Sequence, residues 1–230
     1  MTASPYYPIG VEIPHYVPNT MSTMEILLSF GGSLALVLVP GFIVARRFQL
    51  SGYETWTMLW FILSGCIHLI LEGFYARNFS TLAGQSHPLA QAWKEYALSD
   101  SRYLTTDPFM IVMESVTAFL WGPICLLLAV FIVTDNPLRL PLTIIVCVGQ
   151  IYGDVLYYGI CFLMELLYEV RYSRPEAYYF YGYYVLLNAF WMVAPGYILW
   201  RSVVEVRDAV GMVQQAMKRQ IIAQRTAAKG

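Results

Sequence analysis

Residues 109–134 read FMIVMESVTAFLWGPICLLLAVFIVT, and Glu114 is the one charged residue in the run. A bilayer core is crossed by about 20 apolar residues in helical form. This stretch is long enough for that and far too long for a barrel strand. An open-ended segment satisfies its own backbone in lipid only as a helix. A charged side chain inside such a helix costs roughly 2.5–3.5 kcal/mol on insertion scales, so Glu114 is a candidate functional residue from the start. Four further runs have the same character: 24–45 (ending at Arg46-Arg47), 54–75, 138–167 and 178–204. Pro141 falls in the first turn of the fourth, where proline is tolerated. The expected fold is an all-α integral membrane protein, a bundle of five transmembrane helices. Residues 24–204 would form the membrane domain, after an N-terminal segment 1–23 and before an amphipathic C-terminal tail 205–230.

Composition agrees. The 230 residues are 58% hydrophobic and 13% charged, about half the charge of an ordinary soluble domain, and the mean hydropathy is +0.54. Disorder needs the opposite balance. A net charge of −1 offers no basic field for nucleic acid. Cys66, Cys125, Cys147 and Cys161 all sit in apolar runs with no C-x-x-C pair, which fits small buried hydrophobes better than a disulfide framework. Residues 1–23 contain no Lys or Arg, so no secretory signal is expected and the first span would act as its own insertion signal.

Between the second and third runs lies a polar stretch, 77–107. Its Trp93, Tyr96 and Tyr103 suit a segment folded against the membrane interface, as a lid or as a plain surface loop with aromatic anchors. The tail keeps a stripe of Val203, Val206, Val210, Val213, Met217 and Ile221, the pattern of a helix that leaves the membrane and lies along its surface. The side reached after spans one, three and five holds Arg46, Arg47, Arg139, Arg201, Arg207, Lys218, Arg219, Arg225 and Lys229. The other side holds Arg77, Lys94, Arg102, Arg171 and Arg174. Nine against five places the C-terminus in the cytosol. The Asn78-Phe79-Ser80 sequon is then lumenal, but too close to the membrane to expect modification.

Polar residues recur at membrane depth. On the second span His68 and Glu72, at i and i+4, share a face, with Ser64 a turn earlier. The third carries Glu114, Thr117 and Trp121 at helical spacing, the fourth Gln150, Asp154 and Tyr157, the fifth Tyr184, Asn188, Trp191 and Pro195. Gln150, Asp154 and Thr117 could simply hydrogen-bond between helices, and Gly149-x-x-x-Gly153 reads as a close helix contact. Three titratable groups, His68, Glu72 and Glu114, are a poor way to gain stability alone. There is no H-E-x-x-H, no cysteine cluster and no phosphate loop, so no metal or cofactor is expected. What remains is acid–base work on an apolar substrate from the bilayer. A buried carboxyl kept neutral acts as a general acid, and a second group takes a proton back. The sum is a double-bond shift. A carbocation on the way would be stabilised by an indole face, worth about 2 kcal/mol or more when desolvated, and Trp191 is placed for it.

At these residues the chain resembles the emopamil-binding protein family, the sterol Δ8–Δ7 isomerases. The resemblance is carried by Ile67-His68-Leu69-Ile70-Leu71-Glu72-Gly73, Trp93-Lys94-Glu95-Tyr96-Ala97, Asp100-Ser101-Arg102-Tyr103, Met113-Glu114-Ser115-Val116-Thr117-Ala118, Trp121-Gly122-Pro123, Gly149-Gln150-Ile151-Tyr152-Gly153-Asp154-Val155-Leu156-Tyr157 and Asn188-Ala189-Phe190-Trp191. It implies a multi-pass protein of the endoplasmic reticulum that moves a ring double bond from C8–C9 to C7–C8. It further implies proton handling by His68, Glu72 and Glu114, and cation stabilisation by Asn188 and Trp191. Tyr103, Thr117 and Trp121 match pocket positions; Gln150, Asp154, Tyr157 and Tyr184 complete the candidate substrate-binding set. The family also binds cationic amphiphilic drugs and forms homodimers. An isomerase of another polycyclic isoprenoid, or a sterol- or drug-binding membrane protein without activity, would share the fold.

Overall fold

The structure is a computed structural model that describes residues 4–227; Lys229 of the charge count lies outside them. Among the described residues five helices are long and apolar enough to cross a membrane: α1 (Thr23–Arg47), α2 (Gly52–Asn78), α4 (Pro108–Val133), α5 (Arg139–Tyr168) and α6 (Tyr178–Ala227). A short helix α3 (Pro88–Tyr96) lies in the polar stretch between α2 and α4. The starts follow local chemistry. Ser22 and Ser51 each cap a helix reciprocally with the glutamate three residues on: Glu25 Oε2 accepts from Ser22 N at 2.7 Å and Glu54 Oε2 from Ser51 N at 2.9 Å, so donors that no turn of helix can satisfy are taken up. Asp107 accepts from Met110 N at 3.1 Å, and Pro108 opens α4.

Packing is tightest where side chains are smallest, as expected when lipid supplies no hydrophobic drive between helices. A Cβ added to Gly41 of α1 would lie 2.9 Å from Leu59 and Ile62 of α2. One added to Gly65 of α2 would lie 2.7 Å from Leu126 of α4. On α5 the expected Gly149/Gly153 contact is only half present. Gly149 seats the Trp121 indole, with Cζ2 2.4 Å from where a Cβ would stand, while Gly153 has nothing within 4 Å. The four-residue spacing puts both on one face, but a single indole fills the gap.

Two apolar clusters divide the bundle. One, around Met58, Phe61, Cys125, Leu128, Val146, Cys147 and Ile198, occupies the end where α4 finishes and α5 begins. The other joins Tyr75, Tyr103, Met110 and Tyr157 to the segment between α2 and α4. That segment is neither a loop nor an interface belt: Trp93 and Tyr103 are each 4% exposed and stack on one another with ring centres 4.6 Å apart. Their edges are buried because the segment folds inward as a cap. Residues 4–22 bind over it. Lys94 Nζ donates to the Val17 and Gln85 carbonyls at 2.7 and 2.8 Å, and the Gln91 side-chain oxygen accepts from Thr20 N and Met21 N at 2.8 Å each. Burial pushes the Lys94 ammonium below the usual lysine range.

All four cysteines are free; Cys125 and Cys147 are buried, Cys66 and Cys161 half-buried. Both polar ends of the Asn78 side chain are engaged, by Phe74 O at 2.8 Å and Gln85 Nε2 at 3.1 Å. At the other end, α6 runs without a break through Val204 and Glu205 to Ala227, and the stripe of Val203, Val210, Val213, Met217 and Ile221 along it is exposed.

Candidate active site

The site lies between the two apolar clusters, where three spans depart from α-helical winding. Residues Ile67–Glu72 of α2, Thr117–Trp121 of α4 and Tyr178–Leu187 of α6 are π-helical. Such wider turns are rare and concentrate at functional sites. The first two pack on each other across the bundle. A wider turn disturbs the regular backbone pairing, and buried carbonyls need donors. Side chains supply them in each case. Trp93 Nε1 donates to Leu71 O at 2.8 Å, Thr117 Oγ1 to Glu114 O at 2.9 Å, and Asn188 Nδ2 to Tyr184 O at 2.6 Å. The single Tyr158 O–H is shared between Val185 O at 3.0 Å and Tyr184 O at 3.2 Å.

On the α2 turn, His68 is 2% exposed and Glu72 9%, and His68 Nδ1 lies 2.7 Å from Glu72 Oε2. The other ring nitrogen, Nε2, lies 3.3 Å from Gln150 Nε2 of α5. An amide NH2 donates, so this geometry suits the neutral imidazole with its proton on Nδ1, given to Glu72. Gln150 Oε1 is buried without a partner, and a half-turn of the amide would present it to an imidazolium. The Trp191 indole covers the imidazole, with centroids 5.0 Å apart and planes tilted by 32°, and Trp60 meets Trp191 edge-on at 5.4 Å.

Across from this group Glu114 is buried on α4, and its Oε1 accepts from Tyr103 OH of the cap at 2.8 Å. Burial first, then the neighbouring Glu114 carboxylate, push the Tyr103 phenol well above its ordinary value, so it stays a donor. Tyr96 OH lies 3.0 Å from Nδ2 and 3.3 Å from Oδ1 of Asn188. The cap is pinned by Asp100 and Arg102, 0% and 1% exposed, with Arg102 Nη2 2.6 Å and Nε 3.0 Å from the carboxylate. Burial opposes the guanidinium charge, but Asp100 outweighs it and raises its pKa. The guanidinium also stacks 5.1 Å from the Tyr157 ring centre and 5.0 Å from that of Tyr172.

The structure thus joins His68, Glu72, Gln150 and Trp191 in one group, and Tyr103 with Glu114 and Thr117 in a second. Asn188 bridges α6 to the cap. Trp121 forms a wall on Gly149, beside Gln150. Tyr157 and Tyr184 pack on each other with ring centres 5.6 Å apart, and the Arg102 guanidinium lies over Tyr157. Asp154 stands apart, buried, with Oδ2 unpartnered. Reading 77–107 as a segment between spans left Trp93, Tyr96, Asp100 and Arg102 out of the candidate site, and Trp60 passed as one more apolar residue of the second run. A polar segment with Trp93, Tyr96, Tyr103 and a D-x-R triplet was a signal, but not one that told inward from outward.

Fold and site define a class: a five-span helical membrane protein whose buried interior faces a histidine–carboxylate pair toward a second carboxyl. A family model described as EBP: EXPERA (EXPanded EBP superfamily) matches residues 88–202. The chain is 34% identical over 94% of each chain to the 3-beta-hydroxysteroid-Delta(8),Delta(7)-isomerase of Rattus norvegicus. It is 33% identical, with the same coverage, to that of Mus musculus. It is 34% identical to that of Cavia porcellus, over 86% of this chain and 87% of that one. The chain belongs to the EXPERA superfamily and is an integral membrane protein of the emopamil-binding type.

Proposed function

We propose that the protein is a sterol Δ8–Δ7 isomerase that takes its substrate from the bilayer and works without a cofactor. A proton added at C9 of the C8=C9 alkene leaves a cation at C8; loss of a proton from C7 then forms C7=C8. No atom is gained or lost overall. Two proton-carrying groups are required, and the His68–Glu72 pair and Glu114 are those groups. The observation that carries the reading is the 2.7 Å His68–Glu72 contact on a buried wide turn packed against the turn that follows Glu114.

Trp191 serves the positive charge, its indole lying against the His68 imidazole. A carboxylate left by proton transfer adds about 4 kcal/mol of attraction at 4 Å and an effective dielectric of 20. Asn188 holds the α6 turn and the cap in register. Tyr103, Thr117, Trp121, Gln150, Asp154, Tyr157 and Tyr184 line or support the sterol site. Cationic amphiphilic drugs, which copy the cation's charge and shape, bind the same place.

The protein resides in the endoplasmic reticulum as a homodimer, with its C-terminus in the cytosol; the resemblance to the emopamil-binding family and the cation asymmetry support this. The division into 1–23, 24–204 and 205–230 belongs to the same reading. Expression in isomerase-deficient cells followed by sterol profiling tests the activity. Conversion of accumulated Δ8-sterols is expected from the parent chain, with none from Glu114→Gln or His68→Ala that still inserts. Unchanged Δ8-sterol accumulation at good expression of the parent chain would favour a binder; conversion only of another polycyclic isoprenoid would move the substrate.

A further inference from the structure

A second polar site lies at the opposite end of the bundle. Where α2 and α5 begin and α4 ends, a cavity of about 240 Å³ opens between spans. Its floor is made of hydroxyls on three helices: Thr57, Thr143 and Ser202 are 5%, 3% and 2% exposed, and Thr57 Oγ1 has no partner. Below it Phe61, Ile132 and Ile198 close the bundle, and Thr57 is eleven residues from His68, about 16 Å along a helix. The cavity is therefore not the sterol site. Its volume is also below the roughly 300–1,000 Å³ of sites for drug-sized molecules.

Charges on the wall are balanced. Arg139 is held by Asp135 at 2.7 Å and only loosely by Glu54 and Glu205, each at 3.5 Å. Both glutamates keep capacity for a cation. Arg201 has no ion-pair partner among the described residues; its guanidinium lies 4.4 Å over the Tyr53 ring and 3.3 Å from Tyr197 OH. One free guanidinium beside two loosely held carboxylates suits neither a plain anion nor a plain cation. It suits a group carrying both signs. The span ends set the cavity at the level where lipid headgroups lie.

We propose that this cavity binds the phosphoethanolamine headgroup of a phospholipid, with the phosphate on Arg201 and the ammonium on Glu54 and Glu205. The primary ammonium brings three donors, which the two carboxylates and Thr57 Oγ1 accept. A trimethylammonium has none to give.

The test uses the full chain, purified in detergent, stripped of lipid and titrated under native mass spectrometry. Dioleoyl-phosphatidylethanolamine is expected to bind at least tenfold more tightly than dioleoyl-phosphatidylglycerol or dioleoyl-phosphatidylcholine. Arg201→Gln and Glu205→Gln should each erase that preference, and the near-isosteric Thr57→Val, which keeps the packing, should weaken it several-fold. Equal affinity for the three lipids, or a preference that survives both charge variants, overturns the site. Soluble O-phosphoethanolamine is the second arm: binding as tight as the lipid's would assign the cavity to a free phosphorylated amine and overturn the lipid.

Discussion

The indole of Trp191 lies over the imidazole of His68, 5.0 Å centre to centre. A ring face beside a group that gains positive charge lowers the cost of that charge, by about 2 kcal/mol when water is excluded. Trp191→Leu, which keeps bulk and loses the π face, is expected to cut turnover of a Δ8-sterol about 30-fold, and Trp191→Phe to cut it less. Equal losses in the two variants, measured as kcat in detergent, would show that Trp191 only fills space.

Tyr103 OH donates to Glu114 across the junction of cap and membrane. A hydrogen bond contributes about 0.5–1.5 kcal/mol, or about 1.5–3 where a partner is charged, so Tyr103→Phe should lower kcat roughly 3- to 100-fold. The phenol's pKa is raised above the ordinary 10.0, so the unfolded chain ionises first as pH climbs. Above about 10 the unfolded state holds fewer protons, and this residue's contribution to stability falls. Below that pH the phenol stays protonated and keeps its donor on Glu114, so the activity lost in Tyr103→Phe reports the missing hydrogen bond. An unchanged kcat in Tyr103→Phe at pH 7 would contradict the assignment.

Asp100 and Arg102 neutralise each other in full burial. Removing one partner strands the other charge, at a cost of about 3–5 kcal/mol. Arg102→Gln and Asp100→Asn should each lower the unfolding temperature substantially, and the double variant should lose less than the two losses added together. Additive losses in thermal melts would mean that the pair does not act as a unit.

Gly149 and Gly153 make a matched pair of controls. Gly149→Ala must displace the Trp121 indole and is expected to cost about 1–3 kcal/mol, the usual range for overpacking, with reduced turnover as Trp121 leaves the wall beside Gln150. Gly153→Ala has open space before it and should leave both melting temperature and turnover unchanged.

Much of the candidate site was legible one span at a time. His68 and Glu72 stand four apart in an apolar helix, and that spacing alone brings them together; the pair is found at 2.7 Å. Glu114 stood out because no other charge shares its run. The wide turns were not legible. Nothing in Ile67–Glu72 or Tyr178–Leu187 as a string distinguishes π from α winding, because donors from elsewhere reach those turns, Trp93 in the cap for α2 and Tyr158 on α5 for α6; on α4 the local Thr117 Oγ1 donates to Glu114 O, a bond an α-helical threonine also makes. The same holds for Asp154. It shares a helical face with Gln150, yet only Gln150 reaches His68, because the neighbouring span decides which part of that face meets the site.

Hydrophobic length, the placement of charges and the capping serines are properties of short windows. From those windows alone come the five spans, their order and the acids at membrane depth, since transfer into lipid is a sum over single residues. The folding inward of residues 77–107, the seating of Trp121 on Gly149 and the closure of Tyr103 on Glu114 depend on contacts between distant windows. Their energies exist only once the helices have met, so tertiary structure alone decided them.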